Sequence, residues 1–91
     1  MRNLVASKLF IKDLDRFAKA RKGIQVERLF EAVSFLLFDK PIPERFRDHP
    51  LSGDMKGFRA LSIADDMRLV YKTDQQNVYI VRVGTHSSVY K

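Results

Sequence analysis

The spacing of the apolar residues changes near the middle of this sequence, and that change constrains the fold most strongly. Residues 7–22 place Phe10, Leu14 and Phe17 at steps of three and four, which is the spacing of an amphipathic helix. Residues 24–38 repeat this spacing with a denser set of apolar side chains. From residue 56 onward, short runs rich in β-branched and aromatic residues alternate with polar turns, which indicates strands.

Glycine and proline mark the boundaries of these segments. Gly23 stands where the first helix would end, because glycine readily adopts the left-handed conformation found after helices. A link this short favours an antiparallel helical hairpin. Pro41 stops the second helix, because proline lacks the amide hydrogen and clashes with the preceding turn. Residues 44–55 are expected to form an ordered loop, and residues 56–63, 67–72 and 78–83 to form three strands. Residues 4–6 are expected to form a short edge strand.

These elements predict an α+β fold, with two N-terminal helices packed on one face of a twisted antiparallel β-meander. A chain of 91 residues has room for one domain, residues 1–91. It contains no cysteine, which excludes disulfides and cysteine-based zinc sites and suits a reducing cytosol. Its longest apolar stretch is far shorter than the ~20 residues that a spanning helix needs. We therefore expect a cytoplasmic protein with no membrane partner.

The charge of the chain favours a nucleic-acid partner. The formal net charge is +6 and the sequence pI is about 9.9. Lysine and arginine side chains that meet phosphates release condensed counterions, which makes basic domains of this kind bind polyanions. The alternatives are a basic surface that serves solubility, or one that pairs with an acidic protein.

Several residues have the chemistry that RNA cleavage requires. Attack by a ribose 2′-hydroxyl needs a base, an acid for the leaving 5′-oxygen, and cations for the charge on the phosphate. His49, His86 and Asp66 are the candidates for proton transfer. The candidate phosphate-binding cations are Arg59, Lys56, Arg68 and Arg82. Tyr90 has the aromatic ring needed to stack on an unpaired base.

Each candidate also has a structural interpretation. Histidines in loops are commonly solvated, Asp66 fits a turn, and Tyr90 fits a cap on the core. Arg59 and Arg82 fit the solvated face of the sheet, although an arginine among the valines of residues 78–83 needs a reason. No familiar metal-ligand spacing, glycine-rich phosphate loop or serine hydrolase motif is present, so the sequence predicts no metal ion and no cofactor.

Three segments in order resemble one known family. Residues 46–59 are similar to the DHxLxGxxKGxR stretch of the YafQ-like branch of the RelE toxins, within the RelE/ParE superfamily. Residues 65–72 resemble the strand that follows it, and residues 82–90 the closing RxGTHSxLF segment. Residues 10–14 also resemble the opening helix of the family, and residues 41–44 its proline-bearing loop. The resemblance covers nearly the whole chain.

The resemblance implies a microbial-ribonuclease-like fold and a metal-independent endoribonuclease, an mRNA interferase. Such a toxin cuts messenger RNA in the A site of the ribosome, inhibits translation, and is neutralised by a cognate antitoxin protein. The family's active-site positions match His49, Asp66, His86 and Tyr90, with His86 as the general acid.

The sequence departs from the family pattern at two positions. Ser62 replaces a further histidine, so either His49 or Asp66 serves as the base or the cationic residues carry more of the work, as in RelE-type sites. Ala60 replaces an acidic residue. Two other functions remain open: a gyrase-binding toxin of the ParE type, and a non-catalytic module that binds an antitoxin or RNA. His86 and Tyr90 argue against gyrase binding, which needs neither.

Overall fold

The computed structural model describes residues 1–20, 26–64 and 66–89. The helices are α1 (Lys8–Ala20), α2 (Val26–Leu37) and the short α3 (His86–Val89). The strands are β1 (Asn3–Ala6), β2 (His49–Pro50), β3 (Arg59–Ala64), β4 (Met67–Thr73) and β5 (Asn77–Gly84). The two predicted helices and the edge strand are confirmed. Gly23, which was predicted to end the first helix, and the hairpin link around it lie outside the described residues.

The five strands form one sheet in the order β1-β5-β4-β3-β2. The predicted meander is its antiparallel part, in which β3 pairs with β4 and β4 with β5. The α+β class is confirmed, but the sheet is mixed, because β1 runs parallel to β5. The third strand begins at Arg59 instead of residue 56, since a 3₁₀ helix (Gly53–Met55) and Gly57, with φ of 97°, occupy the preceding positions.

Local interactions explain where the helices begin and end. The Ser7 hydroxyl accepts the Phe10 amide at 3.0 Å and donates to the Val81 carbonyl at 2.7 Å. It therefore caps α1 and ties it to β5. After α2, Asp39 adopts a left-handed φ of 53°. The amide of Lys40 then bonds the Phe35 carbonyl at 2.9 Å, which is the hydrogen bond of a Schellman motif.

The main core lies between the helices and one face of the sheet. Helix α1 packs against β5, and α2 packs against β3 and β5. The buried core residues are Phe10, Leu29, Ala32, Leu36, Phe46, Leu61, Ile63, Met67, Leu69, Tyr71, Val78, Ile80 and Val83. Among the described residues, no helix has the length and apolar character needed to cross a membrane.

The segment predicted as an ordered loop, residues 44–55, contains more structure than the sequence indicated. It holds a first 3₁₀ helix (Glu44–Phe46), strand β2 and the second 3₁₀ helix (Gly53–Met55). Phe46 is fully buried in the core, so it anchors this segment against the sheet. The anchor fixes the chain just before His49, which starts β2.

Candidate functional site

The face of the sheet turned away from the core, here called the second face, carries several of the candidate residues. Cross-strand partners project from the same face of a sheet, so the register shows which side chains share it. One row on the second face consists of His49, Ala60, Val70 and Arg82, and the next of Ser62, Arg68 and Gly84. The row between them, Leu61, Leu69 and Val83, points into the core.

Three candidates meet at one end of this face. Strand β5 ends at Gly84, opposite Arg68 of β4, and His86 begins α3 two residues later. Asp66 lies in the turn that joins β3 to β4, which is the same end of the sheet. Asp66 and His86 are exposed, whereas Arg68 is half-buried. The Arg68 guanidinium donates to the carbonyl oxygens of Ala64 at 3.2 Å and Met67 at 3.3 Å.

His49 lies across the sheet from these residues. It belongs to β2, is exposed, and its Nδ1 lies 2.8 Å from the Arg47 carbonyl oxygen. Strands β2 and β5 are separated by β3 and β4, so they lie three strand spacings apart, about 14 Å. The two histidines therefore belong to different edges of one surface, and a ligand lying across the sheet would have one at each side.

A cleft at this end of the sheet, here called the arginine cleft, is lined by Arg28, Arg45, Arg47, Ser62, Ala64 and Arg68. Its volume is about 150 Å³. Four of the six lining residues are arginines, and they come from α2, from the first 3₁₀ helix, from the residue after it, and from β4. Such a concentration of guanidinium groups favours an anion, since each group presents several N–H donors in one plane.

The aromatic ring of Phe46 positions two of these arginines. The guanidinium carbon of Arg28 lies 5.4 Å from the ring centroid and that of Arg45 lies 4.8 Å from it. Arg45 also forms an ion pair with Glu31. The Nε atom of Arg28 is buried and has no hydrogen-bond partner among the described residues, so one donor in the wall of the cleft is unsatisfied.

Two of the predicted phosphate-binding residues lie elsewhere. Arg59 pairs with Tyr71 in the register and therefore shares the core face. Its Nε donates to Asp48 at 3.0 Å, and the hydrogen bond to this carboxylate raises the pKa of Arg59. Tyr71 donates to the same carboxylate oxygen at 2.6 Å. Lys56 is exposed beside the second 3₁₀ helix. Neither residue lines the arginine cleft, and their phosphate-binding role stays a prediction.

The structure explains why Arg82 stands among the valines of β5. Its Nε and a terminal nitrogen donate to the two oxygens of Asp13 at 2.9 and 3.1 Å, which raises the pKa of Arg82. Asp13 is 1% exposed and also accepts the backbone amide of Val83 at 3.1 Å. A phosphate that used Arg82 would compete with this ion pair.

Sequence reasoning missed three residues of the cleft: Arg28, Arg45 and Arg47. The signal that would have found two of them is the alternation of arginine with Phe46 just before His49. Arg28 gives no such signal, because it reaches the cleft only when α2 packs beside the first 3₁₀ helix. Tyr90, predicted to stack on a base, lies outside the described residues.

The chain is similar to known proteins in sequence and in fold. The family model described as "Bacterial toxin of type II toxin-antitoxin system, YafQ" matches residues 2–91. A protein of Escherichia coli (strain K12) described as mRNA interferase toxin YafQ is 36% identical over 50 residues, or 55% of this chain. The match spans 54% of that protein, and 66% of a relative from Haemophilus influenzae.

Two solved structures have the same fold. The chain resembles one in the E. coli DinJ–YafQ complex with a TM-score of 0.86 and 27% identity, and the match covers 100% of both chains. It resembles a metal-bound toxin from Helicobacter pylori with a TM-score of 0.86 and 34% identity, and the match covers 98% of this chain and 99% of that one.

Proposed function

Because this chain belongs to the YafQ family of bacterial toxins from type II toxin–antitoxin systems, we propose that it is an endoribonuclease that cleaves messenger RNA on the ribosome. The E. coli relative described as an mRNA interferase toxin supports this activity. The solved DinJ–YafQ complex supports a cognate antitoxin as the partner that neutralises it. A toxin that acts on ribosomes works in the cytoplasm. One family model along residues 2–91 supports a single toxin domain.

The observation that carries the proposal is the arrangement of the second face. His86, Asp66 and Arg68 belong to one end of it, and His49 belongs to β2 on the other side of β3 and β4. An RNA strand held over this face would have proton-transfer groups on both sides of it, and it would not touch Ala60 and Val70 between them, which are fully buried. Acid and base must each lie within hydrogen-bond reach of a different oxygen of the same phosphate, so the two imidazoles must lean toward each other over β3 and β4 to close the distance of about 14 Å between their strands.

We assign the chemical roles as follows. His49 or Asp66 removes the proton of the ribose 2′-hydroxyl, and the 2′-oxygen attacks phosphorus. The bond from phosphorus to the 5′-oxygen breaks, and His86 donates a proton to that oxygen. The products are a 2′,3′-cyclic phosphate and a 5′-hydroxyl. Arg68 stabilises the charge on the phosphate oxygens, and Tyr90 stacks on a base.

In this scheme every role belongs to a side chain, so cleavage requires no metal ion. The metal-bound relative from H. pylori makes metal dependence worth a direct measurement. We expect the cleavage rate of chelator-treated toxin on ribosomes that keep their own Mg²⁺ to equal that of untreated toxin. If chelation lowered the cleavage rate and a transition metal added to the toxin restored it, the proposal of metal-independent cleavage would be wrong.

The proposed function is tested by mapping mRNA cleavage in a reconstituted translation system with primer extension. Wild-type protein is compared with His86→Ala and with Ser87→Ala, which alters the next exposed position of α3. A general acid contributes about 10²–10⁴-fold to rate, so we expect cleavage to fall by that factor in His86→Ala and to persist in Ser87→Ala.

The alternatives give different results in the same experiment. If wild-type protein arrests growth without cleaving mRNA, and His86→Ala arrests it equally, the target is gyrase or another protein bound without catalysis. Wild-type protein that neither cleaves mRNA nor arrests growth would indicate a non-catalytic module. Ser62 gives that last outcome a basis, since the second face carries a hydroxyl where the family has a further histidine.

A further inference from the structure

The arginine cleft has no assigned role in the chemistry above, apart from Arg68. The lining residues that the structure describes include no acidic side chain, and Arg45 forms an ion pair with Glu31 beside the cleft. Guanidinium groups gathered around one small space repel each other, and an anion between them removes that repulsion. The electrostatics of the cleft therefore favour a bound anion.

The geometry points to an anion with several acceptor oxygens. Stacking on Phe46 holds the guanidinium groups of Arg28 and Arg45 against one ring, and a guanidinium group has five N–H donors, so Arg45 keeps donors beyond the one that bonds Glu31. The buried Nε of Arg28 lacks an acceptor, and a buried donor without one costs about 1–3 kcal/mol.

The size of the cleft limits what part of a ligand can enter. Its volume is about 150 Å³. Pockets that hold whole small molecules begin at about 300 Å³. The cleft therefore suits a phosphate group better than a complete nucleotide with its base and sugar.

The cleft is connected to the candidate catalytic residues at both ends of its lining. Arg68 belongs to the row that ends beside His86. Arg47 presents its carbonyl oxygen to Nδ1 of His49 at 2.8 Å, and it holds a left-handed φ of 49°, which is strained for a residue other than glycine. An anion in the cleft thus lies beside the surface on which the scissile phosphate is placed.

We infer that the arginine cleft is a non-catalytic phosphate subsite, which binds a backbone phosphate of the RNA next to the one that is cleaved. This inference rests on the proposed function. The cleft fixes the register of the strand on the second face, because phosphate contacts position a nucleic acid without reading its sequence. Arg28, Arg45 and Arg47 act there as binding residues, and the proton transfers belong to other side chains.

Binding of a short single-stranded RNA to protein carrying His86→Ala, which prevents cleavage, tests the inference. The affinity is measured by fluorescence anisotropy across a range of salt concentrations. The test variant Arg47→Asn removes a charge and tolerates the left-handed conformation, so its fold should survive. Lys12→Gln is the control, because Lys12 is an exposed cation of α1 outside the cleft. Arg28→Gln is a second test, made with a check on its folding.

Each phosphate contact with single-stranded nucleic acid contributes about 0.7 to the slope of log affinity against log salt. We expect Arg47→Asn to lower the magnitude of that slope by about 0.7 and Lys12→Gln to leave it unchanged. RNAs with one neutral methylphosphonate, placed at each position in turn, then identify the phosphate. At one position the neutral linkage should weaken binding by the His86→Ala protein but not by its Arg47→Asn derivative.

The possible results separate the failure of the subsite from the failure of the proposed function. The inference would be wrong if Arg47→Asn and Lys12→Gln gave equal slopes. It would also be wrong if every methylphosphonate weakened binding by the His86→Ala protein and by its Arg47→Asn derivative equally. Neither result would contradict mRNA cleavage. Weaker binding of the antitoxin by Arg47→Asn, with RNA binding unchanged, would assign the cleft to that protein. If wild-type protein did not cleave mRNA in the translation system, while Arg47→Asn still changed the salt slope and the methylphosphonate effect as expected, only the proposed function would be wrong.

Discussion

Asp13 should be one of the most important single residues for the stability of this protein. Its carboxylate lies at the edge of β5 beyond the end of β1, where it accepts two hydrogen bonds from Arg82 and one from the Val83 amide. Both Asp13 oxygens are engaged, and its side chain is 2% exposed. Asp13 therefore closes the part of the β5 edge that β1 does not cover.

The expected effect of Asp13→Ala follows from these contacts. Removing one partner of a buried ion pair costs about 3–5 kcal/mol, and because the Arg82 side chain that remains is 20% exposed, we expect the lower end of that range. Domains are stable by about 0.05–0.15 kcal/mol per residue, so 91 residues correspond to roughly 5–14 kcal/mol. The substitution should remove a large share of the free energy of unfolding.

Urea denaturation followed by circular dichroism measures this free energy, with Asp15→Ala as the matched control. Asp15 pairs with Lys19 at 2.9 Å on the same helix, but those side chains are 60% and 78% exposed. An exposed pair of this kind contributes about 0.5 kcal/mol or less. If Asp13→Ala lowered the free energy of unfolding by less than about 1 kcal/mol, no more than the control, the structural role assigned to Asp13 would be wrong.

Two further substitutions test other contacts. Ser7→Ala removes the cap on the Phe10 amide and the bond to the Val81 carbonyl, and should cost about 1–2 kcal/mol in urea denaturation; an unchanged midpoint would contradict the cap. Burial, and then the hydrogen bond to Asp48, raise the pKa of Tyr71 well above 10. The folded protein therefore holds this proton more tightly than the unfolded chain. That stability is complete below about pH 10 and is lost as pH rises further. Tyr71→Phe should lose less free energy of unfolding than wild-type protein as the pH rises above about 10. An equally steep loss in the variant would refute this.

Much of the fold was predictable because its signals are local. The change from helical to strand spacing placed both helices and the three long strands, and Pro41 marked the end of α2. The parallel pairing of Asn3 with Asn77 has no local signal, since it joins residues from opposite ends of the sequence. Strand β2 was also missed, because two residues that include a proline carry no periodicity.

The candidate site was predictable where a motif carried it, and less so where packing did. His49, Asp66 and His86 were named from the sequence, and the structure places all three on or beside one surface. Arg82 was recognised as unusual, but its partner Asp13 lies on α1, far away in the chain. The contact of Arg28 with Phe46 likewise depends on how α2 packs, and helical spacing alone gives no information on that.

The position of β5 inside the sheet controls when the folded toxin can first exist during synthesis. This strand is made last, yet it lies between β1 and β4, and α1 packs against it. A nascent chain that lacks residues 77–84 thus has neither the strand that holds β1 nor the surface that receives α1. Pairing between residues far apart in the sequence forms late, because the chain must lose the conformational entropy of the long loop between them before the new contacts stabilise it. The second face therefore assembles only after the ribosome has translated β5, so each ribosome is protected from the toxin it is making until that strand has been synthesised.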